Sequence, residues 1–205
     1  MLKLLYSPTS PFVRKVLVVA SERGVAELIE RVPVFANPVN RHDGIAAVNP
    51  LVKVPAATTA EGMQLFDSRV ICEYLDSLAG ASLFPAAGPA RWTALTCQAL
   101  ADGMVDAAIL VRYETHLRPQ ALQWAAWRDG QMAKMNGALN RLEATLAQWS
   151  AELTIASVAV SCALGYLDFR YADLNWRQSC PQLGAWFKDF SARPSMQLTT
   201  PREAA

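Results

Sequence analysis

The amino-acid sequence predicts two domains in series, an α/β layer built on one mixed sheet and then an all-α helical bundle. Three observations carry that expectation. Strand and helix signals alternate over the first part of the chain, in the order βαβ, a loop or short helix, then ββα. A stretch rich in Gly, Ala and Pro follows, from Gly80 to Pro89. Beyond it no strand signal survives, and apolar residues recur at helical spacing. The expected domains are residues 1–80 and 90–205. A chain of 205 residues suits one large domain or two small ones, and 52% hydrophobic residues suffice for a sizeable core.

The elements follow in order. Leu2 to Leu5 is a short apolar strand. Ser10 is a good N-cap, Pro11 suits the first helical position, and Gly24 closes the helix just past Arg23. Ala26 to Val34 reads as a second strand with Leu28, Val32 and Val34 as core positions. Phe35 to Val48 is interrupted by Asn-Pro and Asp-Gly and carries no long element. Asn49 to Pro55 leads into a strand, Ala56 to Thr58, then a turn over Thr59 to Gly62 and a return strand, Met63 to Phe66. Asp67 caps a helix in which Val70, Ile71, Tyr74, Leu75 and Leu78 recur at helical spacing. In the second domain Arg91 to His116 is one long helix, stopped by Pro119. Met132 to Trp149 marks a second and Thr154 to Arg170 a third. The third is apolar almost all round, as expected at the centre of a bundle. Pro181 opens a fourth, with Leu183, Trp186, Phe187 and Phe190 on one face.

Charge and composition exclude several classes of function. Nineteen Lys and Arg balance eighteen Asp and Glu, with no basic stripe, so nucleic acid is not an expected partner. No uninterrupted apolar run is long enough to span a bilayer, and the longest, near Ile155 to Leu167, is broken by Ser157, Ser161 and Gly165. The N-terminus lacks the layout of a signal peptide. Cys72, Cys97, Cys162 and Cys180 show neither paired nor metal-ligand spacing, so no metal is expected. A cytoplasmic protein with reduced cysteines is the expectation.

Three stretches carry chemistry. Ser10 sits at a helix start, where free amides and the macrodipole favour an anion. Such positions lower thiol pKa values, and a serine there can donate a hydrogen bond to a thiolate brought in by a ligand. A cap alone would also explain it. Val54-Pro55 enters a strand from a loop, where a proline can serve as an edge device. It can also be a cis-proline that turns the Val54 backbone toward an extended peptide. Asp67-Ser68 opens a helix, which suits capping and equally suits an amino-acid head group. Asp67 can pair with an ammonium, while Ser68 and the first-turn amides hold a carboxylate. A thiol, a peptide backbone and an α-amino acid end together describe glutathione.

At this point the chain resembles the cytosolic glutathione S-transferases along essentially its whole length. The resemblance is carried by Ser-Pro-Phe-Val-Arg-Lys, Asn-Pro-Leu-Val-Lys-Val-Pro and Phe-Asp-Ser-Arg-Val-Ile-Cys-Glu-Tyr-Leu. It continues with Ala-Leu-Ala-Asp-Gly, with Cys-Ala-Leu-Gly-Tyr-Leu-Asp-Phe-Arg-Tyr and with Arg193-Pro194-Ser195. The order and separations are similar to a bacterial branch with serine at the active site. Ser10-Pro11-Phe12-Val13 also resembles the glutaredoxin Cys-Pro-Phe/Tyr-Cys site with both thiols removed, which disfavours dithiol redox chemistry.

The resemblance implies a thioredoxin-like first domain, a helical second domain, a homodimer, and transfer of glutathione to a small hydrophobic electrophile. Ser10 matches the catalytic serine, with Tyr6 as a rival hydroxyl. Val54 matches the residue before the cis-proline, here Pro55, that binds the cysteinyl backbone. Asp67 and Ser68 match the pair that holds the γ-glutamyl group, and Lys53 a basic residue for the glycine carboxylate. Phe12, Met104, Ala108 and Tyr113 are candidates to line the acceptor pocket, and Asp102 to reach a partner's glutathione. Two departures stand out. Position 52 is Val where the family has Gly, and Thr154-Ile155-Ala156-Ser157 lacks the usual Asp of the capping box, which predicts a weaker cap. The same site would also serve a non-catalytic glutathione-binding regulator, or a glutathione-dependent lyase, dehalogenase or isomerase.

Overall fold

A computed structural model describes residues 1–80 and 83–203 of the chain. Two compact units emerge, one formed by Met1–Ala86 with Arg193–Ala205 and the other by Ala87–Ala192. The tail from Arg193 therefore groups with the first unit, not with the bundle to which residues 90–205 were ascribed.

The first unit runs β1 (Leu2–Tyr6), α1 (Pro11–Glu22), β2 (Ile29–Pro33), α2 (Asp43–Ala46), β3 (Ala56–Thr58), β4 (Gln64–Leu65) and α3 (Ser68–Leu78). Its sheet has the order β2-β1-β3-β4, with β2 parallel to β1 and β3 antiparallel to both β1 and β4. Leu4, Val16, Val19, Ala57, Ile71 and Leu75 are fully buried and form the core between sheet and helices. Residues 26–28 form a single 3-10 turn ahead of β2, because Gly24 takes a φ of 69° and reverses the chain there. Leu28 is consequently exposed instead of a core position, while Val32 and Val34 are half-buried. On α3 the buried stripe is narrower than the apolar pattern, since Val70 and Leu78 face solvent. The ambiguous stretch after β2 holds α2, whose Ile45 amide donates to His42 Nδ1 and whose Ile45 side chain is buried.

The second unit runs α4 (Gly88–His116), α5 (Ala125–Ala144), α6 (Leu146–Trp149), α7 (Ile155–Arg170), α8 (Trp176–Ser179) and α9 (Pro181–Ser191). Every residue of α7 from Ile155 to Leu167 is buried, as an all-apolar helix requires. Its start is better capped than the sequence predicts. The Thr154 hydroxyl accepts from Ala156 N, and the Ser157 hydroxyl accepts from Thr154 N at 3.0 Å, so serine completes the reciprocal cap in place of Asp. The start of α9 has no cap of its own. Glu143 supplies one from α5, its carboxylate accepting from Gln182 N and Leu183 N at 3.1 and 2.7 Å. By length and composition α4 could cross a membrane, which the broken run near Ile155 could not. It is nonetheless a bundle helix, with Ala94, Ala101, Met104, Ala108 and Val111 buried.

The tail forms a further helix, α10 (Pro194–Leu198), clasped to α1. Arg193 makes a bidentate pair with Glu22 at 2.8 and 2.7 Å, and Ser195 donates to the same carboxylate. From the other side Arg14 Nη2 donates to Met196 O at 3.0 Å. The Arg193 bond holds the Glu22 carboxyl below its ordinary value, against the opposing effect of burial. The clasp therefore contributes its full stability above the unfolded carboxyl range and loses it as pH falls through the lower folded value. Arg193→Ala should cost about 1–2 kcal/mol at neutral pH, the lower part of the charged range because Arg193 is partly exposed. Urea denaturation should show this difference at pH 7 and show it shrinking in acid. An equal difference at both pH values would contradict the carboxylate's role.

Candidate functional site

The sheet register gathers the three predicted stretches at one end. Leu5 of β1 pairs with Ala56 of β3, so the turn leaving β1 lies beside the loop entering β3. Ala57 of β3 pairs with Leu65 of β4, so the chain leaving β4 toward Asp67 arrives at that same end. Residues 7–10, 52–55 and 66–68 are thus neighbours through backbone pairing alone.

Ser10 caps α1 as expected. Its hydroxyl oxygen accepts from Val13 N at 3.3 Å, and its carbonyl takes the first helical bond from Arg14 N at 3.0 Å. Pro11 has no amide to satisfy. The Phe12 amide has no acceptor among the described residues, and the Ser10 hydroxyl proton has none either. Ser10 is half-buried, so both donors serve a helix N-terminus with restricted access to water. An anion is what such a position holds best. Tyr6, the rival hydroxyl, is also half-buried, at the end of β1.

The Val54–Pro55 bond is cis. Neither Val54 N–H nor Val54 C=O has a partner within the chain among the described residues, which leaves both backbone groups of this residue open to a ligand backbone. The preceding loop is held by Asn49, which the sequence reading quoted only as part of a motif. Buried at 2% exposure, Asn49 accepts from Leu51 N and donates to Lys53 O at 2.9 Å. Lys53 itself is exposed. Val52 adopts a φ of 54°, the left-handed region that its family counterpart would enter as glycine. The β-branched Val52 side chain bears the strain of that conformation.

Asp67 is the N-cap of α3 and accepts from Arg69 N at 2.9 Å. Its side chain is 59% exposed, and the next residue, Ser68, is buried at 2%. A solvated carboxylate beside a buried hydroxyl at a helix start offers one group for a cation and one for an anion.

Other thiols do not compete. Burial pushes Cys97 up to about 12 and raises Cys180 as well, so neither is a thiolate at neutral pH. Among the described residues no cluster of His, Cys, Asp and Glu is placed to hold a metal ion. Two of the pocket candidates are corrected. Met104 and Ala108 are core residues of the second unit, 1% and 0% exposed, because they lie on the α4 face that packs within the bundle. Phe12 and Tyr113 remain half-buried. Asp102 is buried at 3% exposure within its own chain, so it is not free to reach a partner.

Residues 9–78 match the glutathione S-transferase N-terminal domain family and residues 125–189 the C-terminal domain family. The chain is 35% identical over 99% of its length to the whole of YibF, a GST-like protein of Escherichia coli K12. A glutathione transferase family member from Pseudomonas fluorescens Pf-5, solved with bound glutathione, is 46% identical, with a TM-score of 0.97 over 99% of this chain and all of that one. The same organism's protein was also solved with S-(propanoic acid)-glutathione, at a TM-score of 0.92. A glutathione S-transferase from Methylobacillus flagellatus KT with bound glutathione is 38% identical, with a TM-score of 0.90 over 98% of this chain and all of that one.

The strain at Val52 has a measurable sign. At an ordinary loop position Ala is more stable than Gly, but at positive φ the order reverses. Val52→Gly should exceed Val52→Ala in unfolding free energy by about 1 kcal/mol. Denaturant midpoints in the opposite order would place Val52 outside the left-handed region.

Proposed function

The chain belongs to the glutathione S-transferase family, and we propose that it binds glutathione at the end of its sheet and activates the thiol for attack on a small hydrophobic electrophile. The observation that carries this reading is the pair of open donors at the start of α1. The Ser10 hydroxyl and the Phe12 amide sit where a thiolate would be held by hydrogen bonds and the macrodipole. The open N–H and C=O of Val54 receive the cysteinyl backbone. Asp67 and Ser68 receive the ammonium and carboxylate of the γ-glutamyl end, and exposed Lys53 the glycine carboxylate. The relatives bound to glutathione and to S-(propanoic acid)-glutathione support both a substrate and an S-alkyl product at this site.

The chemistry needs no covalent intermediate on the protein. Holding the thiol as thiolate supplies the nucleophile, and holding it beside the acceptor supplies proximity. Each unit of thiol pKa depression corresponds to about 1.4 kcal/mol in favour of the thiolate. The proposed location is the cytoplasm, where the four free cysteines stay reduced.

Ser10→Ala should lower kcat by about 10- to 1000-fold. Glutathione affinity should change by much less, as measured by calorimetry. A silent Ser10→Ala with a damaging Tyr6→Phe would transfer the activating role to Tyr6. Glutathione binding without turnover across a panel of electrophiles would assign the chain to the regulatory reading.

The reading includes a homodimer. Trp92, Thr96, Ala99, Gly103, Asp106 and Leu110 form an exposed stripe at three- and four-residue spacing along α4. The small residues that permit close approach of a second copy are Ala99 and Gly103, since Ala101, Ala107 and Ala108 are buried. A side chain at Gly103 meets nothing within 4 Å in the single chain. Gly103→Arg should therefore fold normally yet sediment at the mass of one chain. A wild type that already sediments as one chain would remove the dimer.

A further inference from the structure

The loop ahead of β3 is closed on one side chain. Asn49 is buried, while Pro50 and Leu51 after it are exposed. Every polar atom of Asn49 is engaged. Its backbone N donates to Ile45 O at 2.7 Å, and its carbonyl accepts from Val52 N at 2.9 Å. Its Oδ1 accepts from Leu51 N at 3.1 Å, and its Nδ2 donates to Lys53 O at 2.9 Å. Pro50 has no amide, so the backbone donors of residues 49 to 52 are all satisfied.

Turn closure explains only part of this. A side-chain acceptor two residues ahead of the Leu51 amide makes an Asx turn, which Asp or Ser would make as well. The bond to Lys53 O needs a donor in addition, and a carboxamide supplies donor and acceptor together.

That second bond reaches the site. The Lys53 carbonyl and the Val54 N–H belong to one peptide unit, and this unit is trans. Carbonyl and amide therefore point in opposite directions across one plane. The carbonyl is drawn onto the buried Asn49 amide, so the Val54 N–H is aimed away from it. This is the N–H that has no partner among the described residues. Val52, at a φ of 54°, lies within the same ring. Asn49 holds the Val52 amide on one side and the Lys53 carbonyl on the other. The ring thus restrains a β-branched residue in a conformation it would otherwise leave.

We propose that Asn49 is a positioning residue for glutathione. Its side-chain amide aims the Val54 N–H at the cysteinyl backbone and holds Val52 in the left-handed conformation in which the ring closes. This rests on the transferase reading and adds to it a residue that does not touch the ligand. Because the thiol is activated at the start of α1, Asn49 governs how tightly glutathione is held and not how fast the bound thiol reacts.

The test makes Asn49→Ala in the wild type and again in Val52→Gly, and titrates each protein with glutathione by calorimetry. In the wild type Asn49→Ala should raise the glutathione Kd about tenfold. Glycine takes a positive φ without strain, so the same change made in Val52→Gly should raise Kd by about threefold or less, relative to Val52→Gly alone. Asn49→Ser keeps an acceptor for Leu51 N but is too short to reach Lys53 O. It should weaken binding as Asn49→Ala does, and it stands in if Asn49→Ala fails to fold. Kinetics with a fixed electrophile should show the glutathione KM rising with Kd. At saturating glutathione kcat should stay within about twofold and the bound thiol's pKa should not move. A residue that merely supports the fold would instead lower kcat and affinity together, in step with the denaturant midpoint. That pattern, an unchanged Kd in Asn49→Ala and Asn49→Ser, or an equal loss in both backgrounds overturns the proposal and leaves glutathione binding standing. A wild type that binds no glutathione removes the transferase reading and the proposal together.

Discussion

The first turn of α1 has more donors than its own chain satisfies, and the site follows from that imbalance. Every helix begins with amides that lack intrahelical acceptors. Here Pro11 removes one donor, Ser10 satisfies another through Val13, and the Phe12 amide stays open. Because β1 ends immediately before this turn, the open donors lie beside the Val54 backbone and beyond the end of β4. The pairing of three short strands thus places a helix N-terminus, the open N–H and C=O of Val54 and a second helix N-terminus around one position. A ligand with a thiol, a peptide bond and a zwitterionic end is what the proposed reading sets against these three.

Keeping α1 in place is a separate task, and residues distant in sequence perform it. Arg14 and Glu22 lie one and three turns along α1 from Ser10 and hold α10 from its two ends. The Arg193-Pro194-Ser195 motif reads as a helix start, with Pro at the first position. Its Arg and Ser are spent on Glu22. Within the bundle Glu143 performs a comparable service for α9, and Tyr171 for the α4 turn at Ala108. These are side chains of one element completing the backbone of another, and such bonds leave no local pattern.

That distinction explains what the sequence revealed. Ser10 and Asp67 were legible because capping depends on immediate neighbours, whereas Val-Pro alone left an edge device open and the cis bond at Pro55 was implied by the family resemblance. The helices were legible because their apolar period is long. Leu28 was misplaced because the chain makes a 3-10 turn after Gly24 where a strand was expected, and α3 shows that a periodic pattern gives the direction of a buried face but not its width. Asp102 and Asp106 are four residues apart and so differ by about 40° around α4. That angle carries Asp102 into the interior and leaves Asp106 at the surface. Asn49 escaped notice because its bonds close a loop whose course depends on Val52 taking a conformation that β-branched residues avoid. The Glu22–Arg193 pair joins residues 171 positions apart and had no signal at all.

The central claim is that the start of α1 stabilises the thiolate of bound glutathione. Thiolates absorb in the near ultraviolet where thiols do not, so titrating the glutathione complex across pH reads the bound thiol's pKa directly. The account predicts a value depressed from about 8.5 toward neutrality or below, with a smaller depression in Ser10→Ala. A bound thiol that titrates at its solution value, in wild type and variant alike, would contradict it.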